Sequence, residues 1–348
     1  MKVLQDLNLE ELQALMSEWG EQKFRAKQLL DNINLGKSIS SFSNISKELK
    51  DKLLAVFADI PLEIHTEQVS KDGTRKFAYK LADGNIIEGV LMSYKYGNTL
   101  CVSTQVGCRM GCKFCASTLG GLARNLTAGE ILAQVLVVNA LLGGKTGKNR
   151  QITNIVLMGS GEPMDNYENV VKFLRLVSSE NGLNVSPRNI SLSTCGIVPN
   201  IYKLADEGLQ VILTLSLHAP NDELRRTIMP IANKYSVKEV VEAAKFYFEK
   251  TGRRVVFEYA LMEGVNNTPE CAKELAGLVH GFPTHINLIP LNEVKERDLK
   301  TVTHKKAEQF ADMLKRLGAS VTIRRTIADD IDGACGQLRN KIVDSAGE

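Results

Sequence analysis

Long apolar runs are missing from this sequence: none of its 348 residues falls in a stretch long enough to cross a bilayer, so no membrane-spanning helix is expected. The first residues, MKVLQDLNLEELQALMSEW, lack the unbroken apolar core and small-residue cleavage site of a signal peptide. A cytoplasmic location is therefore expected. No charge sign dominates either, since 43 Lys and Arg against 40 Asp and Glu leave a net charge of +3. Low-complexity segments and short repeats are also absent. Cysteines are few, and their odd count of seven argues against a secreted disulfide framework and for metal or redox chemistry.

What charge there is comes in short basic clusters: RRT at 225–227 and again at 324–326, GRR at 252–254 and HKK at 304–306. Clusters of this kind are ordinarily solvated surface. Several together allow a phosphate-backbone partner without requiring one.

Residues 1–57 read as helices, with Leu9, Leu12, Leu15, Met16 and Trp19 at helical spacing, then Phe24, Leu29, Leu30 and Ile33. This region reads as a small helical accessory domain, and the basic residues of EQKFRAKQLL could reach nucleic acid. Residues 58–96 turn to short strands with turn signals at KDG and ADGN, a β-rich connecting extension. From 97 to 325 strands alternate with helices. The strands are TLCVSTQ, ITNIVLM, NISLST, VILTLSL, RVVFEYAL, HINLIPL and SVTIRR; helices are expected at 127–143, 166–180, 199–208, 236–250, 268–280 and 303–317. The first of these opens on TAGE, a capping box with Thr127 as cap and Glu130 three residues on. The rhythm predicts an α/β fold, an incomplete TIM-like (β/α)6 barrel, with a doubly wound open sheet as the alternative. Residues 326–348 form a C-terminal segment.

Three of the seven cysteines sit in CRMGCKFC, as Cys108, Cys112 and Cys115, just after the first barrel strand. Chemistry in such folds is done at that end of the strands. A structural zinc needs four closed ligands, usually as two separated pairs, and no histidine lies nearby to complete them. Three thiolates on a 4Fe–4S cluster instead leave one iron without a protein ligand, which an amino acid's amino and carboxylate groups can chelate. C-x3-C-x2-C with an aromatic residue, Phe114, before the last cysteine resembles the signature of the radical S-adenosylmethionine (SAM) superfamily. The resemblance implies that the open iron holds the methionine end of SAM and that SAM is cleaved to a 5′-deoxyadenosyl radical.

Polar groups recur at the other strand ends. LMGSGEP brings a glycine-rich turn and Glu162, which could accept from an ammonium group; SLSTCG brings Ser193; LTLSLHAP brings Ser216 and His218; IPLNE brings Asn292. Together with RTIMPI at 226–231 and DIDGACGQL at 330–338, these segments resemble the RlmN/Cfr family of radical-SAM adenosine methyltransferases, from about residue 80 to 340. The resemblance implies that Cys108, Cys112 and Cys115 hold the cluster and that Gly161, Glu162, Ser193, Ser216, His218 and Asn292 contact SAM. Ser160 replaces the methionine common in that turn. The flanking glycines set its backbone, so little change is expected.

The resemblance implies as target carbon 2 of an adenine in 23S rRNA, the target of the RlmN branch, with tRNA as a further substrate in some members; carbon 2 is too poor a nucleophile for direct displacement. The resemblance implies an indirect route. Cys335 takes a methyl group, a hydrogen is removed from it, and the carbon radical adds to the base. Glu88, a carboxylate on the otherwise apolar strand NIIEGVLM, takes the proton. Cys101 then forms a disulfide with Cys335 and releases the product. Cys195 and Cys271 match no role and read as structural. The implied partners are RNA and a reducing donor such as flavodoxin or ferredoxin, with no membrane and a monomeric protein. Pro163 after Glu162 leans to the carbon-2 branch, since the carbon-8 branch commonly has alanine there. Other readings are a different radical-SAM enzyme, which Cys335 and Glu88 count against, and a zinc-stabilised RNA-binding module without catalysis. Removing residues 1–57 is expected to weaken RNA binding and spare the cofactor region.

Overall fold

The computed structural model describes residues 2–294, 296–325, 328, 330, 331, 338 and 342. Cys335 lies outside the described residues. Three helices come first: α1 (Leu9–Glu18), α2 (Phe24–Asn34) and α3 (Lys47–Val56). The first opens on a capping box in which Asn8 and Glu11 each accept the other's backbone N–H at 2.8 Å. Ser46 caps the third by accepting from Leu49 N.

Strands β1 (Leu62–Val69), β2 (Arg75–Leu81) and β3 (Ile86–Tyr94) follow as an antiparallel meander, turning at the KDG and ADGN segments. The third pairs antiparallel with β4 (Gly97–Cys101), the first strand of the parallel series. A separate hairpin, β5 (Gln105–Gly107) with β6 (Leu122–Asn125), brackets the cysteine loop. The alternation then runs α4 (Ala128–Leu141), β7 (Ile152–Leu157), α5 (Tyr167–Ser178), β8 (Ile190–Thr194), α6 (Val198–Asp206), β9 (Ile212–Ser216). It continues α7 (Asp222–Ile228), α8 (Val237–Thr251), β10 (Val255–Leu261), α9 (Pro269–Leu278), β11 (Thr284–Pro290), α10 (His304–Arg316) and β12 (Val321–Ile323).

These strands form one ten-stranded sheet in the order β1-β2-β3-β4-β7-β8-β9-β10-β11-β12. From β4 onward every neighbour pair is parallel. The order never reverses. A doubly wound sheet would reverse at a switch point, so the sequential order selects the partial barrel. The edge strands β1 and β12 are not paired with each other among the described residues, so the barrel is incomplete.

TLCVSTQ does not stay one strand. Its backbone leaves the sheet after Cys101 because other partners take its N–H groups: Ser103 N donates to Gln134 Oε1 (2.9 Å), and Thr104 N and Gln105 N donate to Ser160 O (2.9 and 3.1 Å). Helix α7 and the β5–β6 hairpin have no counterpart in the sequence reading. Both are too short for hydrophobic periodicity to register.

The helical domain is not detachable. Leu4, Leu12, Met16, Leu29 and Leu53 belong to the same buried cluster as Ile131, Val135 and Val138 of α4, which is apolar on nearly every side. Asp6 Oδ1 accepts from Gly129 N at 2.6 Å in the first turn of that helix, and Asn34 Nδ2 donates to Asn181 O at 2.7 Å. Cutting away residues 1–57 would uncover this face, which corrects the expectation of a clean truncation.

Candidate functional site

The C-terminal ends of the parallel strands open on a cavity of about 260 Å³. Cys108, Cys112 and Cys115 line it from the loop inside the β5–β6 hairpin. Gly161, Glu162, Ser193, Ser216, His218 and Asn292 line it from successive strand ends. Nine residues that the sequence analysis singled out for cluster and cofactor thus face one space. Glu88 and Cys101 do not line it.

The loop is held from several sides. Arg109 grips Asp165 through Nε (2.9 Å) and Nη2 (2.5 Å), tying the cysteine loop to the turn after β7. Gln105 joins the same parts: its Nε2 donates to Asn125 Oδ1 and Asp165 Oδ2, and its Oε1 accepts from Glu162 N. Thr118 Oγ1 donates to Cys115 O at 2.9 Å. Phe114 packs edge-on against His218, with ring centroids 4.7 Å apart. Apart from the local Thr118–Cys115 bond, these supporting contacts were not legible in sequence, because each joins residues tens of positions apart. Phe114 alone carried a signal, through its place in the cysteine motif.

The glycine turn works by close approach. A Cβ at Gly159 would lie 2.7 Å from Val102 O, and one at Gly161, where φ is 110°, would lie 2.7 Å from Gln105 N. Ser160 between them is buried and uses its backbone rather than its hydroxyl, whose oxygen has no partner among the described residues. Glu162 is fixed between two loops, accepting from Met164 N (2.9 Å) and Cys195 N (2.8 Å). Burial raises its carboxyl pKa, against the pull of hydrogen bonds from Thr194 and Cys195.

His218 is a neutral group. Burial, helped by Arg225, pushes its pKa down to about 3. Its Nδ1 accepts from Ala260 N at 2.9 Å, which leaves the proton on Nε2 as a donor. Its φ of 58° is uncommon for a non-glycine residue and breaks the chain direction just past β9.

Arg225 corrects the reading of RRT as solvated surface. It is fully buried and donates to Cys195 O (2.6 Å), Leu217 O (3.1 Å) and Ser216 O (3.2 Å), pinning the ends of β8 and β9 together. Arg324, in the second RRT, lines the cavity. Cys195 lines the cavity too, whereas Cys271 is buried on α9. No disulfide joins two of the described cysteines.

Glu258 went unnoticed in sequence. It lies on β10 in the cavity wall, is buried, and accepts from Ser193 Oγ at 3.4 Å, while its Oε1 has no partner among the described residues. The signal was available: like Glu88, it is a carboxylate inside an apolar strand. Burial raises its pKa above the usual 4.5. An unfolded chain releases this proton first, so stability falls as pH rises from 4.5 toward the folded value. Glu258→Gln should therefore raise the thermal midpoint of the cluster-free protein at pH 7, with the gain shrinking toward pH 4. A difference that does not vary with pH would contradict this.

The donor set fits a polynuclear iron–sulfur group. Among the described residues no three His, Cys, Asp or Glu side chains converge closely enough to hold a single metal ion. The three thiols border the cavity instead, as a larger cluster requires. Burial pushes the Cys108 thiol up to about 12 and raises that of Cys112, so a metal must draw their protons off on binding.

Fold and site define a radical-SAM partial barrel, and residues 102–276 match the Radical SAM superfamily. That superfamily uses a 4Fe–4S cluster held by three cysteines together with SAM. Residues 3–58 match the ribosomal RNA large subunit methyltransferase N-terminal domain. The chain is 55% identical to a probable dual-specificity RNA methyltransferase RlmN of Clostridium perfringens, covering 100% of this chain and 99% of the relative. It is 50% identical to one of Lachnospira eligens over the same shares. The crystal structure of a radical SAM methyltransferase from Sphaerobacter thermophilus superposes with a TM-score of 0.92 at 40% identity, covering 97% of this chain and 99% of that one. The chain belongs to the RlmN family.

Proposed function

We propose that this protein methylates carbon 2 of an adenosine in 23S rRNA, with tRNA as a second substrate in keeping with the dual-specificity name of its relatives. We infer a monomer acting in the cytoplasm with a flavodoxin- or ferredoxin-type electron donor. Cys108, Cys112 and Cys115 hold the cluster, and Gly161, Glu162, Ser193, Ser216, His218 and Asn292 hold SAM. When bound, these groups supply the methyl group and a 5′-deoxyadenosyl radical.

The observation that carries the reading lies beside the cavity. Cys101 pairs across the sheet with Val90, and Glu88 is two residues from Val90 on the same strand. Side chains two apart on a strand share a face, so a thiol and a carboxylate stand together next to the cofactor space. Lys76, fully buried, faces Glu88 at 3.4 Å. A cofactor-binding barrel has no need of this trio. Base methylation through a protein thiol does: Cys335 carries the methyl group on its sulfur, Glu88 takes the proton from carbon 2, and the Cys101 thiolate attacks the Cys335 sulfur to free the RNA.

The deciding experiment is mass spectrometry of large-subunit rRNA from a strain lacking this gene and from the complemented strain. Gene-dependent 2-methyladenosine is expected. Gene-dependent 8-methyladenosine would instead assign the carbon-8 reaction, and no change in either would remove rRNA as substrate.

RNA contact is expected at the start of α2, where Phe24 is 56% exposed beneath the Arg25 guanidinium and flanked by Lys23 and Lys27. A Lys23→Glu/Arg25→Glu protein should bind RNA about tenfold more weakly, with a salt dependence flatter by about two in log–log slope. Unchanged affinity and slope would place the RNA grip elsewhere.

A further inference from the structure

The chain beyond β12 returns to the opposite edge of the sheet. Ala328 N donates to Asp72 Oδ2 at 3.0 Å, five residues after the strand ends at Ile323. Asp330 answers from the other side: its Oδ1 accepts from Ser70 Oγ at 2.5 Å and its Oδ2 from Lys71 N at 3.1 Å. Ser70, Lys71 and Asp72 form the turn between β1 and β2, so first and last strands of the sheet are tied together here. Five residues span at most about 18 Å, so the two edges of the incomplete barrel stand close.

The contact is reciprocal. Each side contributes one aspartate and one backbone N–H. The turn is prepared for it: Asp72 Oδ1 also accepts from Thr74 N (2.9 Å), and Ser70 N donates to Thr74 O (2.8 Å). Ser70 and Thr74 are buried. Backbone N–H groups of Thr74 and Ala328 hold the Asp72 carboxyl at about 2. Ala328 sits at φ 55°, a left-handed conformation that a residue with a Cβ keeps only where its surroundings enforce it.

We propose that Ser70, Asp72 and Asp330 form a clasp that sets the position of the C-terminal segment, which makes Asp330 a positioning residue for the chemistry assigned above to Cys335. The proposal rests on that assignment. Cys335 follows Asp330 by five residues, so its sulfur works within about 18 Å of the clasp plus a side-chain length. The clasp is also built onto β2, whose Lys76 lies four residues beyond Asp72 and faces Glu88. Asp330 is thereby tied to the turn that leads into β2, the strand paired with the one bearing Glu88.

The test uses full-length, cluster-loaded protein with SAM and an rRNA fragment. Asp330→Ala should lower kcat for RNA methylation about ten- to a hundredfold, as misplacement of a reacting group does. It should slow the appearance of methyl on Cys335, read by peptide mass spectrometry, while iron content, SAM affinity and thermal midpoint stay at wild-type values. Asp330→Asn should recover most of the loss, because its amide can accept from Lys71 N and donate to Ser70 Oγ at once. Ser70→Ala should fall between them. An Asp330→Ala protein with wild-type kcat and methyl gain overturns the clasp, and so does one whose kcat falls only in step with iron content or thermal midpoint. Cys335→Ala serves as the separate control: if it still methylates RNA, the assignment of Cys335 fails and the clasp's role with it, whereas a dead Cys335→Ala beside a normal Asp330→Ala refutes the clasp alone.

Discussion

A Cys101→Ala protein should accumulate a covalent complex with its RNA substrate and release almost no product. The reason is the order of the steps. In the proposed order Cys335 acts first, since without its S-methyl group nothing can be added to the base. In that order Cys101 acts last, when its thiolate would attack the Cys335 sulfur and the base would leave. Cys101 is buried on β4 with Val90 and Met92 around it, close to Glu88 but outside the cofactor cavity. Its removal should therefore spare the cluster and SAM binding. The stalled complex would appear as a nuclease-sensitive shift on a denaturing gel. Cys335→Ala should give neither product nor shift, and the double variant should match Cys335→Ala. Cys112→Ala should also lose both, but with its iron absorbance gone. Normal turnover by Cys101→Ala, or crosslinking by Cys335→Ala, would mean that the two thiols have the opposite roles.

The largest loss of stability should follow Lys76→Met. Lys76 is fully buried and Glu88 nearly so, and their charged atoms are 3.4 Å apart. Removing Lys76 takes the ammonium from beside the buried Glu88 carboxylate, and breaking a buried pair costs about 3–5 kcal/mol. Removing both charges leaves no orphan, so Lys76→Met/Glu88→Gln should recover most of that loss in chemical denaturation. RNA methylation should stay abolished in the double variant, because the proposed proton acceptor is gone. Stability and activity then part company, which a purely structural ion pair would not produce. Should Lys76→Met prove no less stable than wild type, the pair is not compensating charge as the geometry indicates.

The helix and strand series of the barrel was readable because each element carries its own local evidence. Thr127 and Glu130 announce α4, and the capping box is present, with Glu130 N donating to Thr127 Oγ1 at 3.2 Å and Thr127 N to Glu130 Oε2 at 2.9 Å. The apolar runs of β7 to β11 read as strands because parallel strands are covered on both faces. The cysteine triplet was readable because its three members lie within eight residues, and the strand-end groups Ser193, Ser216, His218 and Asn292 because parallel strands deliver their ends to one rim.

Residue types, local periodicity and the thiol spacing thus belong to the sequence alone, and they determined the barrel, the cluster motif and the cofactor rim. The tertiary structure decided what depends on distant partners. It buried Arg225 of a cluster that looks like surface, left Glu258 in the cavity wall with an oxygen unpartnered among the described residues, set Lys76 against Glu88, and joined the helical domain to α4 through a shared core. It also brought Asp330 back to Ser70 across 260 positions. The physical reason is common to all of these. Hydrogen bonds, ion pairs and burial depend on distance in space, and a linear pattern reports that distance only where the chain's local geometry repeats it.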